Sequence, residues 1–127
     1  MNPKFNRLTD GFFASPQITA DEVAPAVADG FDLIINNRPD GEEPGQPPAA
    51  EIAAAAAAAG IAYVDIPIGR EGISHADLHA FDEAIAGRSK VLACCRTGTR
   101  STTLRTFARA HAGDDVDRLI SEAATGG

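Results

Sequence analysis

Val91-Leu92-Ala93-Cys94-Cys95-Arg96-Thr97-Gly98-Thr99-Arg100-Ser101 is the stretch that decides the fold. A short apolar run, Val91 to Cys94, reads as a buried strand bounded by turn residues. Polar residues and one glycine follow. Within about six residues the chain re-enters helix-forming sequence, which continues through Leu104 and Phe107 to about His111. A strand that passes through a tight loop straight into a helix is the repeating unit of α/β proteins with a mainly parallel sheet.

The same rhythm extends outward in both directions. A weak opening strand is expected over Phe12, Phe13 and on to Ser15. Thr19-Ala20-Asp21-Glu22 predicts a capping box opening a helix to about Asp29, stopped by Gly30, with Pro25 bending or shortening it. Phe31 to Asn36 is a buried-strand candidate, followed by the turn-rich loop Asn37 to Gln46. Pro47 or Pro48 opens a helix over Ala49–Ala59 before Gly60, an alanine-rich element suited to lying close against a sheet. Ala62 to Ile66 is the next strand, ended by Pro67. Ser74 caps a helix with Leu78, Phe81 and Ile85 on one face. A last helix places Val116, Leu119, Ile120 and Ala123 on one stripe, and the end, Thr125-Gly126-Gly127, is expected to fray. The expectation is one catalytic domain over residues 1–127: α/β, a mainly parallel central sheet with flanking helices.

Composition narrows the function classes. With 44% hydrophobic and 23% charged residues the chain is of globular type. A net charge of −7 argues against nucleic acid as a partner, because phosphate backbones need a basic face. No run approaches the length of a membrane span and the start is not of signal-peptide type, so no membrane partner and a cytoplasmic location are expected. The two cysteines, Cys94 and Cys95, are neighbours; a bridge between them would close a strained ring, so both are read as free thiols.

Ligands of open parallel sheets bind beyond the carboxyl ends of the strands. The sequence delivers Arg38, Arg70, Arg96 and Arg100 to that edge, four of its eleven Lys and Arg residues. A small anionic substrate is therefore expected, with Glu42, Glu43 and Glu71 as carboxylates available to neutralise some of these arginines. The backbone from Arg96 through Thr97, Gly98 and Thr99 to Arg100 can curl around an anion, with a helix N-terminus adding positive potential. Gly98 permits that curl. The same field should hold Cys95 as a thiolate nucleophile, with Ser101 capping the helix and donating to the sulfur. Alternation along the strand turns Cys94 to the other side, as a small buried hydrophobe. His75 and His79 sit four apart on a helix but lack a third ligand, so no metal and no cofactor are expected. His111 suits a helix C-terminus.

The cysteine loop resembles the active loop of rhodanese-type sulfurtransferases, which commonly reads Cys-Arg-Ser-Gly-x-Arg-Ser. The wider chain resembles the phosphatase-like domain of the beta-lactamase hydrolase-like proteins, also called the domain-of-unknown-function 442 family. Ser15-Pro16-Gln17-Ile18-Thr19, the run Ile35 to Gln46 and the cysteine loop carry that resemblance in order, across nearly the whole chain. It implies a dual-specificity-phosphatase-like fold with a rhodanese-like loop, and members described both as phosphatases and as sulfur transferases, some fused to persulfide-dioxygenase-like domains. A persulfide-metabolising partner enzyme and a thiol acceptor follow from it as expectations.

Phosphatases of this fold separate Cys and Arg by five residues and carry an Asp on the loop after the third strand. Here four residues separate Cys95 from Arg100, and the loop Ile66 to Ile73 offers only Glu71. Counting from Cys94 restores five but loses the spacing of Gly98. The sequence thus favours sulfur transfer through a Cys95 persulfide, to a thiol or cyanide. The alternatives are a phosphatase acting through a Cys95 phosphocysteine with Glu71 as acid, and a non-catalytic anion- or persulfide-binding module. Asp65 is read as a strand residue without a catalytic role.

Overall fold

Alternating side chains along the parallel strands give the sheet two apolar faces, and each needs a helical layer to cover it. The structure, a computed structural model, describes residues 1–126 and meets both needs. The chain runs β1 (Asn6–Thr9), β2 (Phe12–Ser15), a 3-10 turn (Ala20–Glu22), α1 (Val23–Ala28), β3 (Leu33–Asn36), α2 (Ala49–Ala59), β4 (Ala62–Asp65), α3 (His75–Ile85), β5 (Val91–Cys94), α4 (Thr99–His111) and α5 (Val116–Gly126). The sheet order is β1-β2-β5-β3-β4. Only the β1–β2 pairing is antiparallel.

One face carries Phe13, Ile34, Leu92 and Cys94 and packs with Val23 and Ala26 of α1 and Ile52 and Ala56 of α2. The other carries Phe12, Leu33, Ile35 and Ala93 and packs with Phe81 of α3 and Leu104 and Ala108 of α4. In α2 only Ile52 and Ala56 are buried, one turn apart, so the helix meets the layer beneath it along a narrow seam. Asp32 fixes the start of β5, its carboxylate accepting from the backbone N–H groups of Ser89 (2.8 Å) and Lys90 (3.1 Å).

Register then places the functional edge. Ser15 and Asn36 both pair with Cys94, and Asn36 with Asp65, so all four parallel strands end at one level. The loops that follow them open on the same side.

Four details differ from the sequence reading. The edge strand β1 was not expected; it is short, polar but for Leu8 and bulged between Arg7 and Thr9, so it carries little alternating pattern. The helix expected from Thr19 is divided. Thr19 and Glu22 do form the capping box, with Thr19 N–H donating to Glu22 Oε1 at 2.8 Å, but it opens a single 3-10 turn. Pro25 falls in the first turn of α1, where a backbone N–H has no partner within the helix. On α5 only Leu119 of the expected stripe is buried, while Val116 and Ile120 are more than half exposed. Finally, α5 runs through Gly126, past the point where fraying was expected, and Gly127 lies outside the described residues.

Phe81 is fully buried and its ring lies 5.8 Å from that of Phe12, joining α3 to the sheet. Phe81→Ala should cost about 3–5 kcal/mol of stability in urea unfolding. A loss below about 1 kcal/mol would show that α3 is not part of the core.

Candidate active site

β5 ends at Cys94 and hands Cys95 to the loop. The Cys95 N–H still donates to Ser15 O (3.2 Å), and the Cys94 carbonyl accepts from Asn37 N–H (2.8 Å), so the entry to the loop is fixed by both neighbouring strands. The chain then turns at Gly98, whose φ of 94° and ψ of −14° make it the left-handed cap from which α4 starts. A Cβ at Gly98 would lie 3.5 Å from the Ser15 backbone in a conformation that L residues rarely adopt.

This geometry turns the loop's amides inward. Gly98 N–H donates to Cys95 Sγ at 3.0 Å, and the backbone N–H groups of Ser101, Thr97 and Arg100 are directed at the same sulfur. Thr99, Arg100 and Ser101 form the first turn of α4, whose N–H groups have no acceptor within the helix. Cys95 Sγ is the acceptor for those of Arg100 and Ser101, while Thr99 N–H turns to Thr97 Oγ1. Burial pushes the Cys95 thiol up, but those backbone hydrogen bonds outweigh it and bring the thiol below its ordinary value. At Cys94 burial wins: its thiol is pushed up to about 12, raised further by Cys95, against smaller lowering effects of the Ile18 backbone and Lys4. It belongs to the opposite core face, with Sγ 4.0 Å from Asn36 Oδ1. Neither cysteine is bridged.

Above the loop lies a cavity of about 430 Å³ lined by Gly41, Glu42, Glu43, Arg70, Arg96 and Arg100. Three of the four expected arginines therefore converge. Arg38 does not line it. Its guanidinium is almost wholly buried and already shared, donating through Nε to Glu42 (2.9 Å) and through its terminal nitrogens to Glu43 (2.8 Å) and Gln17 (3.1 Å). Arg100 meets Glu42 as a two-pronged pair at 2.7 and 2.8 Å and also donates to Ile68 O (2.9 Å). Arg96 pairs with Glu43 at 2.7 Å. Among the described residues Arg70 has no ion pair. Hydrogen bonds from Arg100, and to a lesser degree Arg38, hold Glu42 down to about 2 despite partial burial, so it stays ionised.

Other residues fall less as expected. Ser101 does not cap α4, because Gly98 does; its backbone N–H serves the sulfur while its buried Oγ has no protein partner. Thr97 Oγ1 instead accepts from Thr99 N–H at 3.4 Å, bracing the turn. Glu71 is exposed and lines a neighbouring cavity with Pro67 and Ser74. Asp65 accepts from Tyr63 Oη (2.6 Å), which in turn accepts from Asn36 Nδ2 (3.0 Å), so it is engaged at a strand end. His79 pairs with Glu83, and the His75 ring lies 6.0 Å from that of His111. No group of three His, Cys, Asp or Glu suited to a metal occurs among the described residues. No helix among them is long and apolar enough to cross a membrane. The sequence reading underweighted Glu42 and Gln17. The Arg38–Glu42 spacing and the place of Gln17 in the first of the three motifs were the available signals.

With this geometry in view, the profile of the beta-lactamase hydrolase-like protein, phosphatase-like domain, matches residues 4–112. The chain belongs to that family. A beta-lactamase hydrolase-like protein of Agrobacterium fabrum is 49% identical over 78 residues, covering 61% of this chain and 18% of the relative. The chain thus spans about a fifth of the length of the curated relatives it matches. A candidate phosphatase from Neisseria meningitidis superposes with a TM-score of 0.83 at 35% identity, covering 98% of this chain and 89% of that one. Human DUSP28 shares the fold alone, with a TM-score of 0.64 at 16% identity over 99% and 81% of the two chains. The architecture is that of the cysteine phosphatases of dual-specificity type.

Limited alkylation near neutral pH, read by peptide mapping, should label Cys95 before Cys94; preferential labelling of Cys94 would overturn the assignment. Cys94→Ala should leave that labelling intact and cost about 1–2 kcal/mol through lost packing. Gly98→Ala should cost roughly 1–2 kcal/mol of backbone strain and slow alkylation of Cys95, as the amides lose their aim. An unchanged rate would show that the amides do not set the reactivity.

Proposed function

We propose that this site is a sulfurtransferase centre, working through a persulfide on Cys95 in a reducing, cytoplasmic setting. The observation that carries this reading is the small ring. Backbone N–H groups of Thr97, Gly98, Arg100 and Ser101 converge on one sulfur atom, in a loop with four residues between Cys95 and Arg100.

The chemistry is a pair of thiolate displacements. The Cys95 thiolate attacks the outer sulfur of a small anionic persulfide donor. The donor's S–S bond breaks, its electron pair leaves with the donor thiolate, and Cys95 carries the added sulfur as a persulfide anion. A thiolate acceptor then attacks that outer sulfur and Cys95 leaves as the thiolate. Cyanide in the acceptor's place would give thiocyanate. No redox partner or proton is needed, because a thiolate is a competent leaving group. Arg96, Arg100 and Arg70 attract the donor at the mouth, while amides from Arg96 to Ser101, with Thr97, Gly98 and Thr99 shaping the turn, hold the terminal sulfur. Arg38 and Gln17 keep the mouth in position.

The comparisons favour a second reading, a phosphatase acting through a Cys95 phosphocysteine, since the family description and the fold neighbours are phosphatase-like. That chemistry needs an acid for the leaving oxygen, a role worth roughly 10²–10⁴ in rate. Glu42 is fixed as the carboxylate by two arginines, and Glu71 lines the neighbouring cavity.

Incubation with an organic persulfide should add one sulfur's mass to the Cys95 peptide, removable by reductant. The absence of any adduct with several donors, together with efficient aryl phosphate hydrolysis that Glu71→Gln abolishes, would establish the phosphatase reading instead.

A further inference from the structure

The mouth of the pocket carries a feature that neither chemistry requires. Its charged side chains form one continuous chain, Arg96–Glu43–Arg38–Glu42–Arg100. Glu43 Oε1 bridges Arg96 (2.7 Å) and Arg38 (2.8 Å). Glu42 Oε1 accepts from both Arg38 (2.9 Å) and Arg100 (2.8 Å), while its Oε2 takes the second Arg100 nitrogen (2.7 Å). A two-pronged pair of this kind is the geometry in which arginine binds a carboxylate or a phosphate. Glu42 therefore occupies, from within the chain, the fork that an incoming oxyanion would use.

The carboxylates are not loosely placed. Glu42 N–H donates to Gln46 Oε1 (3.0 Å), Gln46 Nε2 donates to Pro39 O (2.9 Å), and Asp40 Oδ1 accepts from Ala49 N–H (2.8 Å). The turn is tied at both ends and presents Glu42 and Glu43 to the cavity. Among the residues lining that cavity, three arginines face two carboxylates, a surplus of one positive charge. Arg38, shared by Glu42 and Glu43, raises that surplus to two, and a Cys95 thiolate brings it back to one.

We infer that Glu42 is a specificity determinant, an internal carboxylate ligand of Arg100 that lets singly charged groups reach Cys95 and excludes doubly charged oxyanions such as phosphate. A dianion exceeds that single surplus charge, meets two fixed carboxylates and a thiolate at close range, and must also displace Glu42 from Arg100. A singly charged group brings half that repulsion and can be held by Arg70 and the loop amides without opening the Arg100 pair. The inference rests on the reading of this site as an anion-taking thiolate pocket, and not on whether sulfur is the group transferred.

The test reads binding, not turnover. Inorganic phosphate at mildly alkaline pH, where it is mainly the dianion, is titrated against the alkylation rate of Cys95 in the wild type, Glu42→Gln, Glu43→Gln and, as a distant control on α3, Glu83→Gln. Circular dichroism confirms folding. Glu42→Gln should lower the phosphate concentration giving half-protection by about tenfold, because one like charge is removed in a partly shielded site. Glu83→Gln should match the wild type. Tighter phosphate binding is not what a merely structural loss would produce. Half-protection unchanged or weakened in Glu42→Gln would overturn the inference. Were that variant to unfold, Glu43→Gln decides it in the same sense: tightening supports the inference, and none refutes it. Failure of the persulfide adduct with tightening intact would count against sulfur transfer alone.

Discussion

The site depends on one interaction: backbone N–H groups at the start of α4, those of Gly98, Arg100 and Ser101, converge on a sulfur. Cys95 Sγ takes the place that a capping side chain holds at other helix starts. It can do so because Gly98, at φ 94°, turns the loop beside β2, where an added Cβ would lie 3.5 Å from the Ser15 backbone. The sheet supplies the other half of the constraint. Cys95 N–H is still bonded to Ser15 O, so the sulfur is located by β2 and β5 while the amides are located by α4. A thiolate held between two rigid elements needs little reorganisation when it reacts, which is where preorganised dipoles gain their effect.

The second layer is the charge chain at the mouth. Arginines convergent on a thiolate would by themselves form an open oxyanion trap, and the sequence offers Glu42, Glu43 and Glu71 to neutralise some of them. The structure closes much of that trap with its own carboxylates. Arg38 becomes a buried strut between Glu42 and Glu43, and Arg100 is shared between Glu42 and the Ile68 carbonyl. Only Arg70, on the exposed segment after Ile68, faces the cavity without an ion pair among the described residues. The pocket is charged but close to balanced, a different proposition for a ligand from a purely basic cleft.

Much of this was legible in the chain. The strand–loop–helix reading of Val91 to His111 placed Cys95 and Cys94 on opposite sides of the sheet, because alternation is strict along a strand. The Ala49–Ala59 and Ser74-capped helices were legible from flanking prolines, Gly60 and the capping serine. The edge strand β1 was not, since four residues with Leu8 alone apolar, and a bulge, present no period. Nor was the burial of α5, where packing buries Leu119 and leaves its apolar neighbours in solvent. At the site, the arginines were visible as residues but their pairing was not: which carboxylate meets which guanidinium is set by the fold of the Pro39–Gln46 turn, and spacing alone hints only at Arg38 and Glu42. Ser101 was misread as the cap because a serine is a better cap by propensity than glycine, whereas the close approach to Ser15 demands Gly98.

The most direct measurement is the ionisation of Cys95 itself, followed by thiolate ultraviolet absorbance against pH in the Cys94→Ala protein, with the Cys94→Ala, Cys95→Ser double variant subtracted. A thiolate that forms below the ordinary cysteine value of about 8.5 is the expected result, since the backbone donors stabilise the charged form. Ionisation at or above that value would mean that burial outweighs the amides, and the account of the site would be wrong.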